Sequence, residues 1–258
     1  MRIATYNVNS VRMRLPILER WLAEASPDLV AIQETKVEDK DFPREPFEAM
    51  GYRVEVHGQK ARHGVAMLSK LPITIAARGF GDGDQEDDRR LMVADVEGIR
   101  FVNSYVPNGT QVGTDKFVYK LWWMKRLRKF LDETCDKGHP LVWLGDVNVA
   151  PTADDLHDAK RNYGKVGHHP DEFAALADVT GWGLTDVYRR FHEGPGHYTF
   201  WDYRLPKAVE RGLGWRIDHI YANDAILNRF TAARVDVWPR LEEKPSDHAP
   251  VVADLDWP

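Results

Sequence analysis

LVWLGDVNVAP, residues 141–151, opens with four apolar residues, which is typical of a buried β-strand. Gly145 follows, and then a carboxylate (Asp146) and a carboxamide (Asn148) occupy alternate positions. Side chains two residues apart on an extended chain point to the same side. The stretch therefore predicts a central strand whose carboxyl end presents an acid and an amide together.

Length and composition are those of a globular chain. With 258 residues, 43% of them hydrophobic and 29% charged, the chain can form one large domain or two small ones. It has no apolar run of membrane-spanning length, and the N-terminal MRIATYNVNS lacks the apolar centre of a signal peptide. A single cysteine, Cys135, excludes an intramolecular disulfide and favours the cytoplasm. The net charge of −5 argues against nucleic-acid binding unless basic residues cluster on one face.

Short apolar segments between turn residues predict many strands. They are residues 2–8, 28–34, 52–58, 64–70, 90–98, 99–106, 141–147, 215–222, 234–238 and 249–257. Apolar residues at helical spacing predict three helices, Leu15–Glu24, Lys116–Glu133 and Glu172–Thr180. No repeat or linker divides the chain. We therefore expect one α/β domain over residues 1–258, with two sheets packed face to face and helices outside.

Polar side chains follow several of these strands. They are Asn7, Asn9, Gln33, Glu34, Lys36, Tyr105, Asn108, Asp146, Asn148, Asp218, Asp247 and His248. Any one of them can be a turn residue or a solvated strand end. An acid after an apolar segment, however, recurs at Glu34, Asp146, Asp218 and Asp247. Four carboxylates buried together are unfavourable without a cation or a histidine to compensate them.

The residue types in this set predict phosphoester hydrolysis. Oxygen ligands without cysteine favour Mg²⁺ or Mn²⁺ over zinc. A carboxylate beside His248 would fix the tautomer of the imidazole and favour its charged form. Amides and the Tyr105 hydroxyl can hold phosphate oxygens without adding negative charge.

Six motifs carry a family resemblance. QETK, HGQK, GDVNVAP, YTFWDYR, RIDHI and KPSDHAP, in this order, resemble the exonuclease III family of abasic-site (AP) endonucleases. That family belongs to the endonuclease/exonuclease/phosphatase superfamily, which includes DNase I, and the resemblance runs from Asn7 to Asp256. It implies a DNase I-like four-layer α/β sandwich, with two packed mixed β-sheets flanked by helices. It also implies a DNA-repair phosphodiesterase that cleaves duplex DNA 5′ to abasic sites, with 3′–5′ exonuclease and 3′-phosphatase or 3′-phosphodiesterase activities.

The resemblance also implies roles for individual residues. The implied catalytic residues are Tyr105, Asp146, Asn148, Asp218 and His248. The implied ligands of Mg²⁺, or of Mn²⁺ in its place, are Asn7, Glu34, Asp146, Asn148, Asp247 and His248. Glu34 would be the principal ligand and Asp146 would activate the attacking water. Asn9 replaces an aspartate that helps to hold the metal in some relatives, so the resemblance implies a single-metal site here.

Substrate contacts are expected from aromatic and basic residues. The resemblance implies a small apolar pocket for a flipped abasic sugar, formed by Trp201 and Trp215 with Phe200 and Ile217, although each of these could instead be a core residue. Asn108, Lys36, Lys60 and Arg62 are further candidates, and a positive strip would include Arg89, Arg90, Lys116, Lys120 and Arg204. The expected partner is double-stranded DNA with abasic sites or blocked 3′ ends. We expect a monomer without membrane association, cytoplasmic and bound to the nucleoid through DNA.

Two further segments have an expected structure without an expected catalytic role. The acidic stretch 81–88 should be a solvated turn rather than a calcium loop, and His168 and His169 should lie in a mobile loop.

The alternative functions are a phosphatase or phosphodiesterase of inositol phosphates or phospholipids, a 3′-end exonuclease with weak abasic-site activity, and a DNA-binding protein without catalysis. YTFWDYR argues against the first and the full set of polar residues against the last. Loop shape decides the balance between abasic-site and 3′-end activity.

Overall fold

Two six-stranded sheets form the centre of the molecule. The computed structural model describes residues 1–82 and 88–257. The first sheet has the spatial order β11 (Phe230–Val235), β12 (Val251–Leu255), β1 (Arg2–Asn7), β2 (Leu29–Gln33), β4 (Val65–Ser69), β3 (Arg53–His57). The second has the order β5 (Thr74–Arg78), β6 (Leu91–Val96), β7 (Ile99–Tyr105), β8 (Leu141–Asp146), β10 (Asp218–Asn223), β9 (Leu184–Asp186). The pairs β1–β2 and β7–β8 are parallel and the others are antiparallel, so both sheets are mixed.

Helices cover the outer face of each sheet. They are α1 (Val11–Ala25), α2 (Arg44–Ala49), α3 (Asp115–Thr134), α4 (Ala159–Asn162), α5 (Pro170–Thr180) and α6 (Asp224–Leu227). Short 3₁₀ turns occur at Asp39–Asp41, Ala153–Asp155, Tyr188–Arg190 and Trp238–Leu241. In the described part of the chain, none of the helices combines the length and apolar character needed to cross a membrane.

Three apolar layers hold the sandwich together. Residues such as Met67 and Leu144 fill the space between the two sheets. Trp21 of α1 belongs to the layer outside the first sheet, and Trp123 of α3 to the layer outside the second. Because both faces of the central strands are covered, β2 and β8 are buried along their whole length, which explains their continuous apolar sequences. The expected four-layer α/β sandwich is confirmed.

The sequence-based elements need several corrections. Strands β5 and β9 were not predicted, and β10 begins at Asp218 rather than at residue 215 because Trp215 pairs with Phe200 instead. Helix α1 begins at Val11, ahead of the predicted Leu15. The expected helices within α3 and α5 are confirmed, each slightly longer than predicted.

The two adjacent histidines are structural. His168 is buried, with Nδ1 2.7 Å from the Ala150 carbonyl oxygen. His169 caps the N-terminus of α5, and its backbone N–H donates to Glu172 in a capping box. Both residues lie in the expected loop, between α4 and α5, but these contacts argue against the expected mobility. The predicted solvated turn at 81–88 lies mostly outside the described residues.

Candidate active site

The strand order brings the polar strand ends to one edge of the paired sheets. Asn7 ends β1, and Glu34 directly follows the parallel strand β2. In the second sheet, Asp146 ends β8 and lies opposite Asp218, the first residue of the antiparallel strand β10. His248 precedes β12, which runs antiparallel to β1. Residues from both sheets therefore meet at the same edge.

Glu34 lies between an amide and an ammonium group. The Asn7 amide nitrogen donates to Glu34 Oε1 and to Asp146 Oδ2, both at 2.9 Å. Lys36 Nζ is 2.7 Å from the other oxygen of Glu34 and also donates to Asn9. Burial opposes ionisation of Glu34, but Lys36 and Asn7 outweigh it and hold the pKa of this carboxyl below its ordinary value. Glu34 is therefore a carboxylate at neutral pH.

Asp146 and Asn148 adjoin through a turn rather than through the pleat of a strand. Strand β8 ends at Asp146, and Asn148 has a left-handed backbone with φ 55°. The Asn148 backbone N–H donates to Asp146 Oδ1 at 2.9 Å, and the Asn148 side chain donates to the Val106 carbonyl oxygen at 3.0 Å. Asn108 in turn donates to Asn148 Oδ1 at 2.9 Å. Asp146 and Asn148 are therefore linked through the Asn148 backbone N–H, and not through two side chains on one face of a strand as expected.

His248 is held by a buried carboxylate. Its Nδ1 lies 2.8 Å from Asp218 Oδ2, which also accepts from the Thr199 hydroxyl at 2.6 Å. Its Nε2 faces Asp146 Oδ2 at 3.9 Å. Burial alone would lower the pKa of His248, but Asp218 and Asp146 raise it to about 10. The imidazole is therefore protonated at neutral pH and can donate a hydrogen bond.

Tyr105 closes the other side of the site. Burial, together with Glu34 and Asp146, raises the pKa of its hydroxyl well above the ordinary value, so the group remains a donor. The guanidinium of Arg90 lies 4.5 Å from the Tyr105 ring centroid, and Arg90 Nη1 donates to the Tyr105 carbonyl oxygen at 3.2 Å. Arg90 is buried and thus supports Tyr105 instead of forming part of an exposed strip.

Several site residues have left-handed backbones. The φ angles of Asn9, Glu34, Lys36 and Asn148 lie between 45° and 57°. A left-handed backbone costs a residue other than glycine about 1–3 kcal/mol and persists only where the surrounding contacts hold it. This clustering is typical of a functional site, where backbone turns aim neighbouring side chains at one point.

The donor set fits a hard divalent cation. Glu34, Asp146 and His248 each place a potential ligand atom within 4.8 Å of the others. Burial raises the pKa of Asp146 to about 7, against the lowering effect of His248, so its charge is incompletely compensated. With His248 protonated, the carboxylate oxygens of Glu34 and Asp146 are the natural ligands.

Two other expected ligands face elsewhere. The Asn7 amide presents its nitrogen, not its oxygen, to the carboxylates, while Asn7 Oδ1 accepts from the Asn9 backbone. Asp247 accepts from the Asn9 side chain at 2.9 Å and lies outside the group formed by Glu34, Asp146 and His248. In this arrangement Asn7 orients the two carboxylates, and Asp247 adds negative charge near His248.

Aromatic residues beside His248 form an apolar wall. Phe200 and Trp215 are half-buried, pair through their backbones, and pack against the Ala150, Leu156 and Ile217 cluster. The Phe200 ring centroid is 5.0 Å from that of His248. Three of the four expected pocket residues, Phe200, Trp215 and Ile217, are therefore together next to the site.

Trp201 is a core residue, contrary to the expectation that it lines the pocket. It is only 4% exposed and packs with Tyr198, Ala208 and Ala249 in a separate cluster. Its position follows from the chain direction, because Phe200 and Trp201 point to opposite sides of an extended segment.

The basic residues divide into two groups. The backbone of Lys36 hydrogen-bonds to residues 61 and 63, so the loop carrying Lys60 and Arg62 adjoins the site. Lys60 and Arg62, with Arg89, line a cavity of about 510 Å³. Lys116 and Arg204 are exposed, and Arg204 pairs with Asp202 at 2.6 Å.

The second group lies inside the protein. Lys120 is fully buried, so the expectation that Lys120 and Arg90 belong to a surface strip is wrong. Thr199, which fastens Asp218, was not identified from the sequence. Its position two residues before Trp201 in YTFWDYR gave no chemical signal, because threonine is ordinary in strands.

Fold and site together define a class of enzyme, an α/β-sandwich hydrolase with a carboxylate–histidine centre. The chain belongs to the endonuclease/exonuclease/phosphatase family, whose sequence model matches residues 4–248. It is 32% identical over 267 residues to exodeoxyribonuclease III of Haemophilus influenzae, covering 99% of this chain and 100% of that protein. The resemblance to exonuclease III-like AP endonucleases is thereby confirmed.

Solved structures agree with this assignment. An AP endonuclease from Archaeoglobus fulgidus superimposes with a TM-score of 0.95 at 41% identity, covering 99% of both chains. A 3′ phosphatase from Neisseria bound to a product DNA hairpin superimposes with a TM-score of 0.92 at 37% identity, covering 100% of both. The chain is a hydrolytic nuclease of this family.

Proposed function

We propose that this protein is a Mg²⁺-dependent DNA-repair phosphodiesterase that cleaves duplex DNA 5′ to abasic sites and also processes 3′ ends. We further propose that residues 1–258 act as one catalytic domain. The observation that carries the proposal is the assembly of Glu34, Asp146 and His248 within 4.8 Å at the edge of the sandwich. The similarity to an AP endonuclease and to a 3′ phosphatase that binds a DNA hairpin supports DNA as the substrate.

The residues divide the chemistry between them. Bound at Glu34 and Asp146, Mg²⁺ would neutralise phosphate charge and lower the pKa of water. The buried carboxylate of Asp146 ends β8 at the same edge and can take a proton from the attacking water. Protonated His248, held by Asp218, donates to a phosphate oxygen and stabilises the charge that develops there. The Tyr105 hydroxyl and the Asn148 amide hold the remaining phosphate oxygens.

Lesion recognition would rest on shape. The half-buried rings of Phe200 and Trp215, with Ile217, border the site without offering an acid, a base or a ligand. A deoxyribose without a base is small, and turning it out of the helix disrupts little stacking. Lys60 and Arg62, on the loop that adjoins Lys36, supply positive charge beside the same edge despite the net charge of −5. This arrangement suits an abasic nucleotide in duplex DNA.

One assay tests the proposal. Purified protein with Mg²⁺ is given duplexes carrying an abasic site, a 3′-phosphate or an intact recessed 3′ end, with Glu34→Ala as the matched inactive control. Incision 5′ to the abasic site that requires Mg²⁺ and Glu34 is the expected result. Activity on inositol phosphates or phospholipids without cleavage of any duplex would refute it.

A 3′-end nuclease with weak abasic-site activity is the second candidate. The Neisseria 3′ phosphatase, at 37% identity over the whole chain, favours it. The ratio of kcat/KM on the abasic duplex to that on the 3′-phosphate duplex separates the two functions. A ratio well below one would identify the protein as a 3′-end enzyme.

A further inference from the structure

A fully buried ion pair lies directly behind the site. Lys120 of α3 and Glu172 of α5 have no exposed side-chain surface, and Lys120 Nζ is 2.5 Å from Glu172 Oε1. Burying two charges is unfavourable, and a pair of apolar residues of similar volume is often at least as stable. Stability alone therefore gives little reason for this pair.

The remaining contacts of Lys120 lead to the site. Its Nζ donates to the carbonyl oxygen of Asn148 at 2.7 Å and to that of Asn108 at 3.3 Å. Its stem passes beneath Gly109, where an added Cβ would lie 3.1 Å from Lys120 Cδ. The Lys120 ammonium thus hydrogen-bonds to the backbone carbonyl groups of Asn108 and Asn148, whose side-chain amides hydrogen-bond to each other.

Asn148 depends on such support. Its backbone is left-handed, with φ 55°, a conformation that needs surrounding contacts to persist. Its N–H, its side-chain oxygen and its side-chain nitrogen are held by Asp146, Asn108 and the Val106 carbonyl group respectively. Lys120 supplies the contact to the fourth polar group, the carbonyl oxygen.

Glu172 fixes the ammonium and anchors the loop before α5. One of its oxygens binds Lys120, and the other accepts from the His169 N–H at 3.1 Å. The same loop places Gly167 against Trp215, where an added Cβ would lie 3.0 Å from the indole ring. The pair therefore joins two outer helices to the phosphate-facing amides and to the apolar wall.

We propose that Lys120 and Glu172 form a positioning pair that holds Asn108 and Asn148 in the geometry needed for phosphoester hydrolysis. This inference rests on the proposed function, since it assigns the two amides to the scissile phosphate. Misplacement of catalytic groups by about 1 Å can lower turnover by about 100-fold. Because the pair does not touch the substrate, its loss should lower kcat and leave KM nearly unchanged.

The test separates positioning from stability. Lys120→Met leaves Glu172 buried and unpaired, so Tm should fall by about 10 °C. In the double variant Lys120→Met/Glu172→Gln both charges are gone, while the glutamine can still accept from His169. We expect Tm to recover to within about 4 °C of the wild type. We expect kcat to remain about 10–100-fold low, with KM within about threefold.

An exposed ion pair on the same helix provides a matched control. The exposed pair on the same helix, Lys129 and Glu133, is 3.7 Å apart, and Lys129→Met/Glu133→Gln should change neither Tm nor kcat appreciably. All proteins are assayed with Mg²⁺ on the abasic and 3′-phosphate duplexes, at the same interval below their own Tm. Wild-type kcat in the double variant, a deficit that vanishes at matched stability, or a rise in KM alone would overturn the positioning role. A wild-type protein inactive on every duplex would instead refute the proposed function.

Discussion

Replacing Asp218 by asparagine should move the alkaline limit of activity by about three pH units. The amide oxygen of the replacement can still accept from His248 and Thr199, as Asp218 Oδ2 does at 2.8 and 2.6 Å. The amide nitrogen takes the place of Asp218 Oδ1, a buried atom without a hydrogen-bond partner in the described part of the chain. The substitution thus removes the charge and keeps the shape.

The size of the expected shift in the pKa of His248 follows from its ion pair with Asp218. Two charges about 4 Å apart interact by about 4 kcal/mol at an effective dielectric constant of about 20. At about 1.36 kcal/mol per pKa unit, losing this interaction lowers the pKa of His248 by about 3, from its wild-type value of about 10 to about 7. If the protonated imidazole is the active form, activity is present below this pKa and is lost as the pH rises through it. The variant should then lose little at pH 6 and about 100-fold at pH 9.

The assay is a pH profile of kcat/KM from about pH 5.5 to 9.5 with saturating Mg²⁺ on the abasic duplex. Asp247→Asn is the graded control, because Asp247 raises the same pKa less than Asp218 does and should shift the alkaline limb less. A wild-type to Asp218→Asn ratio that stays constant from pH 6 to pH 9 would refute the role of His248 as a charged donor.

Other predictions concern charge, metal and the aromatic wall. In EDTA the Tm of the wild type should fall as the pH rises from about 4 to about 7. Asp146 has a folded-state pKa of about 7 above its ordinary 3.8, so it contributes stability at low pH that is lost through this range. For Asp146→Asn, calorimetry should show a smaller fall of Tm with pH, and a fall equal to that of the wild type would contradict the burial argument. The turnover of Asp146→Asn should drop by about 100-fold or more while its DNA binding persists. Trp215→Ala should lower abasic-site cleavage by about 10–100-fold and 3′-phosphate removal much less. Trp201→Ala should lower the free energy of unfolding by about 3–5 kcal/mol and impair both activities. DNA binding, measured by anisotropy at several salt concentrations, should show a log–log slope of about −4 to −5, and a flat response would argue against a duplex substrate.

Sequence patterns predicted the site best where a strand carries its residues to a fixed place. Glu34 directly follows β2 and Asp146 ends β8. These apolar strands belong to the two facing sheets, so the end of each strand brings its acid to the shared edge. The left-handed turn at Asn148 was not foreseeable in the same way, because asparagine also tolerates extended backbone. Likewise, the turning of the Asn7 amide nitrogen toward two carboxylates depends on neighbours 27 and 139 residues away.

Lys120 shows why the rest could not be derived from local pattern alone. The apolar residues at helical spacing within Lys116–Glu133 include Phe117, Leu121 and Met124, but the buried face of α3 includes Lys120 while Leu121 is only half-buried. Lys120 follows Phe117 by three residues and precedes Met124 by four, so it lies on the apolar stripe. A lysine there predicts burial only if a counter-charge is present, and that charge is Glu172, 52 residues later and on another helix. Local periodicity thus places Lys120 on the apolar face of α3, but only the packing of α3 against α5 shows that Glu172 pairs with its ammonium.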